Sequence, residues 1–246
     1  MKNFNYFLLF TILIFSGCDK ENAPDCLKKT GEISTKTIEL SPFKYLTIND
    51  LFKVKLIPDT ENKLVIRGGK NMIPKVEITE VDTTLSIENL NTCNWTRSYQ
   101  KVIELDIHFT EIKDITVLGQ VELYSTDTIK AHYLTLLINT KVSKVNLIID
   151  SYIFNLQIWN ATGEFYVSGK TNYFWLHNDK YAYVYAQNYD ARMVHAENNS
   201  TGDIYIKVRE ELQAWIKSYG DIIYDGNPDI TYKEITSTGN LVQKNK

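Results

Sequence analysis

The chain has 246 residues, 27 Lys plus Arg against 30 Asp plus Glu, and a net charge of −3. That balance leaves no basic footprint for nucleic acid. Eleven Gly and five Pro are too few for a disordered or collagen-like chain, while Val, Ile, Thr, Tyr and Phe recur throughout. The composition predicts an all-β protein.

The first eighteen residues, MKNFNYFLLFTILIFSGC, carry one cation, Lys2, and then an apolar run from Phe4 to Phe15. The run is shorter than the roughly 20 residues a membrane-spanning helix needs, and has the length of a signal-peptide core. Ser16 and Gly17 precede Cys18 in the manner of a bacterial lipobox, where only a Cys sulfur can take a diacylglyceryl thioether; the alternative is an ordinary secretory signal with a chance Cys. The expected organisation is a lipoprotein signal peptide over 1–17, then lipidated Cys18 and a polar tether over 18–36. A single domain follows over 37–246. Several acyl chains, palmitate-type, anchor stably where one does not. The partner implied is a membrane, and the expected location is the outer membrane, with its periplasmic or surface face left open. Cys26 and Cys93 remain as an even pair in an oxidising compartment. They are read as a disulfide or as two buried free thiols, and not as metal ligands, since neither has a second Cys or His at ligand spacing.

From Thr37 to Phe109 the pattern alternates with period two. FKVKLIP sets Phe52, Val54 and Leu56 on one face, and KVIELDIHF sets Ile103, Leu105, Ile107 and Phe109 on one face. KLVIRGG reads as another strand. KVEITEVDTTLSIENL reads as a hairpin turning at Asp82-Thr83-Thr84.

From about residue 111 to 246 a repeat takes over. Gly119, Ser143, Gly163, Lys180, Gly202, Gly220 and Gly239 each precede a short apolar strand, in steps of 24, 20, 17, 22, 18 and 19 residues. A second apolar pair precedes each corner: Leu136/Ile138, Leu156/Ile158, Phe174/Leu176, Val194/Ala196 and Ala214/Ile216. One such unit cannot bury its own apolar face and must stack on its neighbours. The repeat therefore predicts a parallel β-solenoid, with an antiparallel sandwich of hairpins as its rival. Corner glycines are expected to supply a backbone angle that residues with a Cβ avoid. REELQAW, with high helix propensity, is expected to be locally irregular.

Four stretches carry a resemblance: SPFKYLTINDLFKVKLIPD, VEITEVDTTLSIEN, EIKDITVLGQVEL and SYGDIIYDGNPDITYKEITSTGNLV. Over roughly Thr37 to Val242 the chain resembles the putative auto-transporter adhesin, head-GIN domain proteins, many of them lipoproteins of Gram-negative bacteria. The resemblance implies a right-handed β-helix with an irregular N-terminal β region, here 37–110. It names an adhesin without implying a ligand or a reaction. At 139–141 and 178–180 the family's Ser-Gly-Ser corners are replaced by Asn-Thr-Lys and Asn-Asp-Lys.

Raw material for catalysis is thin. The four His (108, 132, 177 and 195) lie outside any HExxH, and no GxSxG or phosphate loop occurs. His108, beside acidic residues on an outer face, is expected to be solvated. Glu164, Asp203 and Asp221 follow corners and are the carboxylates a lyase or glycosidase would use. Asp203 and Asp221, on adjacent units, could share a cation, or all three simply accept backbone N–H bonds at a solvated corner. The reading is non-enzymatic, without cofactor or metal. Alternation turns Tyr166, Tyr183 and Tyr205 outward in one column, with Trp175, His195 and Trp215 in a second. These form the candidate binding face for glycan or protein. They serve equally as a cross-unit ladder worth about 0.2–1 kcal/mol per pair. The function expected is a non-catalytic, lipid-anchored envelope adhesin. The alternatives are a carbohydrate-active lyase or glycosidase and a purely structural envelope component.

Overall fold

The computed structural model describes residues 30–92, 102–140 and 142–244. Among them the chain is all-β apart from one 3-10 turn, Ile73–Lys75. Fifteen strands are hydrogen-bonded into one continuous sheet, most of it parallel. Alternation sets the faces as expected. β3 (Phe52–Pro58) buries Phe52, Val54 and Leu56, and β7 (Ile103–Phe109) buries Ile103, Leu105, Ile107 and Phe109.

The N-terminal region is less separate than its irregular sequence implies. β3 pairs in parallel with both β7 and β9 (Val121–Ser125). β2 (Tyr45–Asn49) does the same with β6 (Thr84–Asn89) and β8 (Asp114–Val117). Two rows of the repeat thus run back into this region. Antiparallel pairing is confined to its edge, where β1 (Ile33–Glu39) meets β4 (Lys63–Gly69), β4 meets β7, and β5 (Val76–Val81) meets β6. The β5–β6 hairpin turns on Asp82-Thr83 alone, with Val81 opposite Thr84 and Asp82 left-handed at φ 52.

Every pairing described for β8 onward is parallel, which a sandwich of hairpins cannot produce. β10 (Ile129–Asn139) lies beside β11 (Val142–Ser200), with Ile129 opposite Ile149 and Asn139 opposite Trp159. β11 pairs with β12 (Ile204–Ile216), Val184 opposite Ile204. β12 then pairs with β13 (Ile222–Asp225) and β14 (Asp229–Ile235), and β13 with β15 (Leu241–Gln243). Each unit covers the apolar row of the one before it. Leu136 packs opposite Leu156, and Phe154 stacks on Phe174 at 5.5 Å, all fully buried. Burying one such side chain is worth about 1.5–3 kcal/mol, which is why the units do not stand alone.

REELQAW, expected to be irregular, is strand: Arg209–Trp215 lies within β12. The irregularity sits one unit earlier. Between the pairs Ala186–Ile206 and Asp190–Lys207, β11 has three extra residues, 187–189. They deliver Tyr189 into the core, edge-on to Phe154 and Phe174, with its hydroxyl 3.2 Å from Ser151 Oγ. Burial pushes that phenol far above its ordinary range.

Of the corner glycines, Gly163 takes a positive φ of 147 as expected, but the later ones act differently. None of Gly202, Gly220 and Gly239 has a positive φ. A Cβ on each would instead strike the carbonyl of the preceding corner: Ala182 O, Gly202 O and Gly220 O respectively. They are clearances for close backbone stacking, as glycine permits.

Candidate functional site

Two aromatic columns face outward. In the first, Tyr166 stacks on Tyr185 at 4.8 Å and Tyr185 on Tyr205 at 5.4 Å, with ring planes within 15°. The expected middle ring was Tyr183. It does face outward, but lies 6.4 Å from Tyr185, two residues off the column. The cause is the anchor. Val184 pairs with Ile204, so Ala182 rather than Lys180 matches Gly202. Ser143 likewise pairs with Val121, not Gly119. A slip of two keeps every side chain on its own face, so alternation cannot detect it.

The second column holds as read and extends further. Trp175 lies 4.5 Å from His195, His195 4.1 Å from Trp215, and Trp215 4.7 Å from Tyr232. Burial lowers the His195 pKa, which favours a neutral ring between its indoles. Two further rows escaped the sequence reading. Trp159 stacks on His177 at 3.9 Å, His177 Nδ1 lies 3.2 Å from Glu197, and Lys217 Nζ lies 2.7 Å from the same carboxylate. On another face His132 stacks on Tyr152, Tyr152 meets Tyr173, and the Arg192 guanidinium donates to the Tyr173 hydroxyl and the Glu210 carboxylate. Their signal was the step of 18 to 21 residues between members, which single-column matching overlooks.

In the first column the ring faces cover one another, and what remains outward is edges and hydroxyls. Tyr166 donates to Glu164 Oε2 at 3.2 Å and Tyr205 to Asp203 Oδ2 at 3.3 Å. Loss of solvent, then the neighbouring carboxylate, holds both phenols above their usual pKa. The corner carboxylates are also engaged with backbone. Asp221 N–H donates to Asp203 Oδ1 at 2.9 Å, and Asn240 N–H to Asp221 Oδ1 at 2.7 Å. His108 is not simply solvated: its Nδ1 lies 2.7 Å from Asp59 Oδ2, and that hydrogen bond lowers the Asp59 pKa. Among the described residues no group of three or more His, Cys, Asp or Glu is placed to hold a metal ion. Cys18, Cys26 and Cys93 lie outside the described residues.

In each unit the corner lies, along the chain, between a Trp-column strand and a Tyr-column strand. Over its first half this corner row opens into a groove of about 990 Å³. Leu118, Asn139, Thr140, Asn160, Thr162, Lys180 and Tyr181 line it, Thr162 being itself engaged. Asn160 and Lys180, twenty residues apart, are both left-handed, at φ 54 and φ 72. Tyr181 is 59% exposed and stacks on no other ring among the described residues.

Among solved structures the chain is similar to a putative adhesin from Bacteroides fragilis NCTC 9343. The TM-score is 0.79 at 18% identity, covering 87% of this chain and 97% of that one. It is also similar to a putative adhesin from Parabacteroides merdae ATCC 43184, with TM-score 0.59, 13% identity and coverage of 88% and 98%. A putative lipid binding protein from Parabacteroides distasonis ATCC 8503 matches with TM-score 0.61, 16% identity and coverage of 87% and 98%. At these identities the likeness is one of fold. No curated protein matches the sequence. The sequence model of one family does match, over residues 42–228, well over half of the chain. This protein therefore belongs to the family described as putative auto-transporter adhesin, head GIN domain.

Proposed function

We propose that this protein is a lipid-anchored, non-catalytic adhesin of the bacterial cell envelope, built as a right-handed parallel β-solenoid. It meets a glycan or protein surface along the corner row flanked by its aromatic columns. Cys18 carries the acyl chains, residues 18–36 are the tether, and the membrane is the outer one. Cys26 and Cys93 join the tether to the body. Tyr183 and Trp175, 41% and 47% exposed, lead the contact face, with Tyr166, Tyr205 and Trp215 behind them.

One observation carries this reading. Outward side chains recur from unit to unit in stacked rows, giving a long regular surface. Of the three corner carboxylates acid–base work would use, Asp203 and Asp221 accept backbone N–H bonds and Glu164 accepts from the Tyr166 hydroxyl. A hydrolase or lyase needs such groups available to substrate. Family membership supports the adhesive reading, and no helix among the described residues is long and apolar enough to cross a membrane.

The test has two arms. Intact-mass analysis of the mature protein should find an acylated N-terminal Cys18, and Cys18→Ser should release the chain from membranes. The full lipoprotein in nanodiscs should retain a glycan or a surface protein. An unacylated mature chain would remove the anchor; silence on glycan arrays and in pull-downs would remove the adhesin.

A further inference from the structure

We infer that the groove running from Leu118 to Tyr181 along the corner row is a binding site for a neutral oligosaccharide. This rests on the adhesive reading above and gives it a place and a ligand class. The groove crosses four successive corners. At the inter-strand spacing of about 4.8 Å, three steps make it about 14 Å long, enough for a short saccharide laid along the stack.

Its chemistry separates it from the other aromatic surfaces. Tyr166, Tyr185 and Tyr205 cover one another's faces, whereas the Tyr181 ring has no ring partner among the described residues. An aromatic face free of its neighbours is what the C–H side of a pyranose packs against. Leu118, 44% exposed, gives a second apolar contact at the other end. Between them the side chains of Asn139, Thr140 and Asn160 make no hydrogen bond within the described residues. Amides and hydroxyls both donate and accept, which matches a ligand whose polar groups are hydroxyls. Among the described lining residues Lys180 is the one cation, and Asp179 lies 4.0 Å from its Nζ. These described residues therefore offer little net field to a polyanion.

The backbone points the same way. In the next unit the residue twenty after Lys180 is Ser200, buried, whose hydroxyl donates to Ala182 O and accepts from Gly202 N–H. Lys180 does neither and stands left-handed, as does Asn160. Asn adopts that region readily, but a Lys held there carries strain, and such strain gathers at ligand-binding positions.

The full lipoprotein in nanodiscs would be applied to an array of defined neutral and acid-bearing oligosaccharides, with calorimetry on the best neutral binder. Binding to a neutral oligosaccharide is expected. Tyr181→Ala should weaken it about tenfold, and Asn160→Gly, which keeps the left-handed backbone, a few-fold. Tyr133→Ala, on an exposed ring away from the groove, should leave it unchanged. An unaltered circular dichroism spectrum and melting curve would show that both groove variants are folded. The groove assignment is overturned if only acid-bearing glycans bind, if no saccharide binds, or if affinity survives both groove variants. In any of these cases, retention of a protein or acidic glycan leaves the adhesive reading standing, and silence in every format ends both.

Discussion

One corner row is built in two ways along its length. In the later half, Gly202, Gly220 and Gly239 sit against the carbonyl of the corner before, and polar side chains fill what space remains. Asn178 donates to Asn198 Oδ1 at 3.1 Å, Asn198 to Gly202 O at 3.1 Å, and Asp203 and Asp221 take the N–H groups that follow. In the earlier half, Gly119 still sits hard against Asp50, but at the next corners Asn139, Thr140, Asn160 and Lys180 make no such bonds among the described residues, and the surface opens into a groove. The same backbone repeat can thus be sealed by glycine clearance and side-chain ladders, or left open at its surface as the proposed groove. The sealed half contributes stability; the open half contributes surface.

Breaking the sealed half should have the larger effect. Gly202→Ala places a Cβ against Ala182 O, where backbone must move, and should destabilise by about 3 kcal/mol in urea unfolding. A loss below about 1 kcal/mol would mean the units are not stacked so closely. Asn198→Ala comes next. It removes a fully buried amide that serves Asn178, Ser200 and Gly202, and should cost about 2–3 kcal/mol. In the open half the sign reverses. Lys180→Gly relieves a left-handed residue and should stabilise by about 1 kcal/mol in the same assay. Tyr181→Ala should be the smallest, within about 0.5 kcal/mol, because the ring is exposed and unstacked. A large loss there would make Tyr181 a structural residue and remove the contrast.

Much of the architecture was legible residue by residue. Phe52, Val54, Leu56 and Ile103 to Phe109 point as their alternation predicts, and the Trp175–His195–Trp215 column was found from spacing alone. The Tyr column was read with the wrong middle member. Tyr183 and Tyr185 share a face, and only the pairing of Val184 with Ile204 chooses between them. Val194 opposes Leu212 rather than Ala214 by the same two-residue ambiguity. Tyr189 was invisible because its three-residue insertion breaks the period that would have located it. The groove was foreshadowed only as irregular corners at 139–141 and 178–180; its free ring and left-handed residues emerge from the way neighbouring corners stack.

By itself, then, the sequence determined which side chains turn inward and that units of about twenty residues must cover one another, because period-two patterning and an unburied apolar face are local properties. Tertiary structure alone decided the register between units and the joining of β2, β3, β6 and β7 to the rows of the repeat. It also decided which corners close. Those depend on pairings up to 69 residues apart, such as Phe52 with Val121, and on backbone clearances that no single stretch of chain contains.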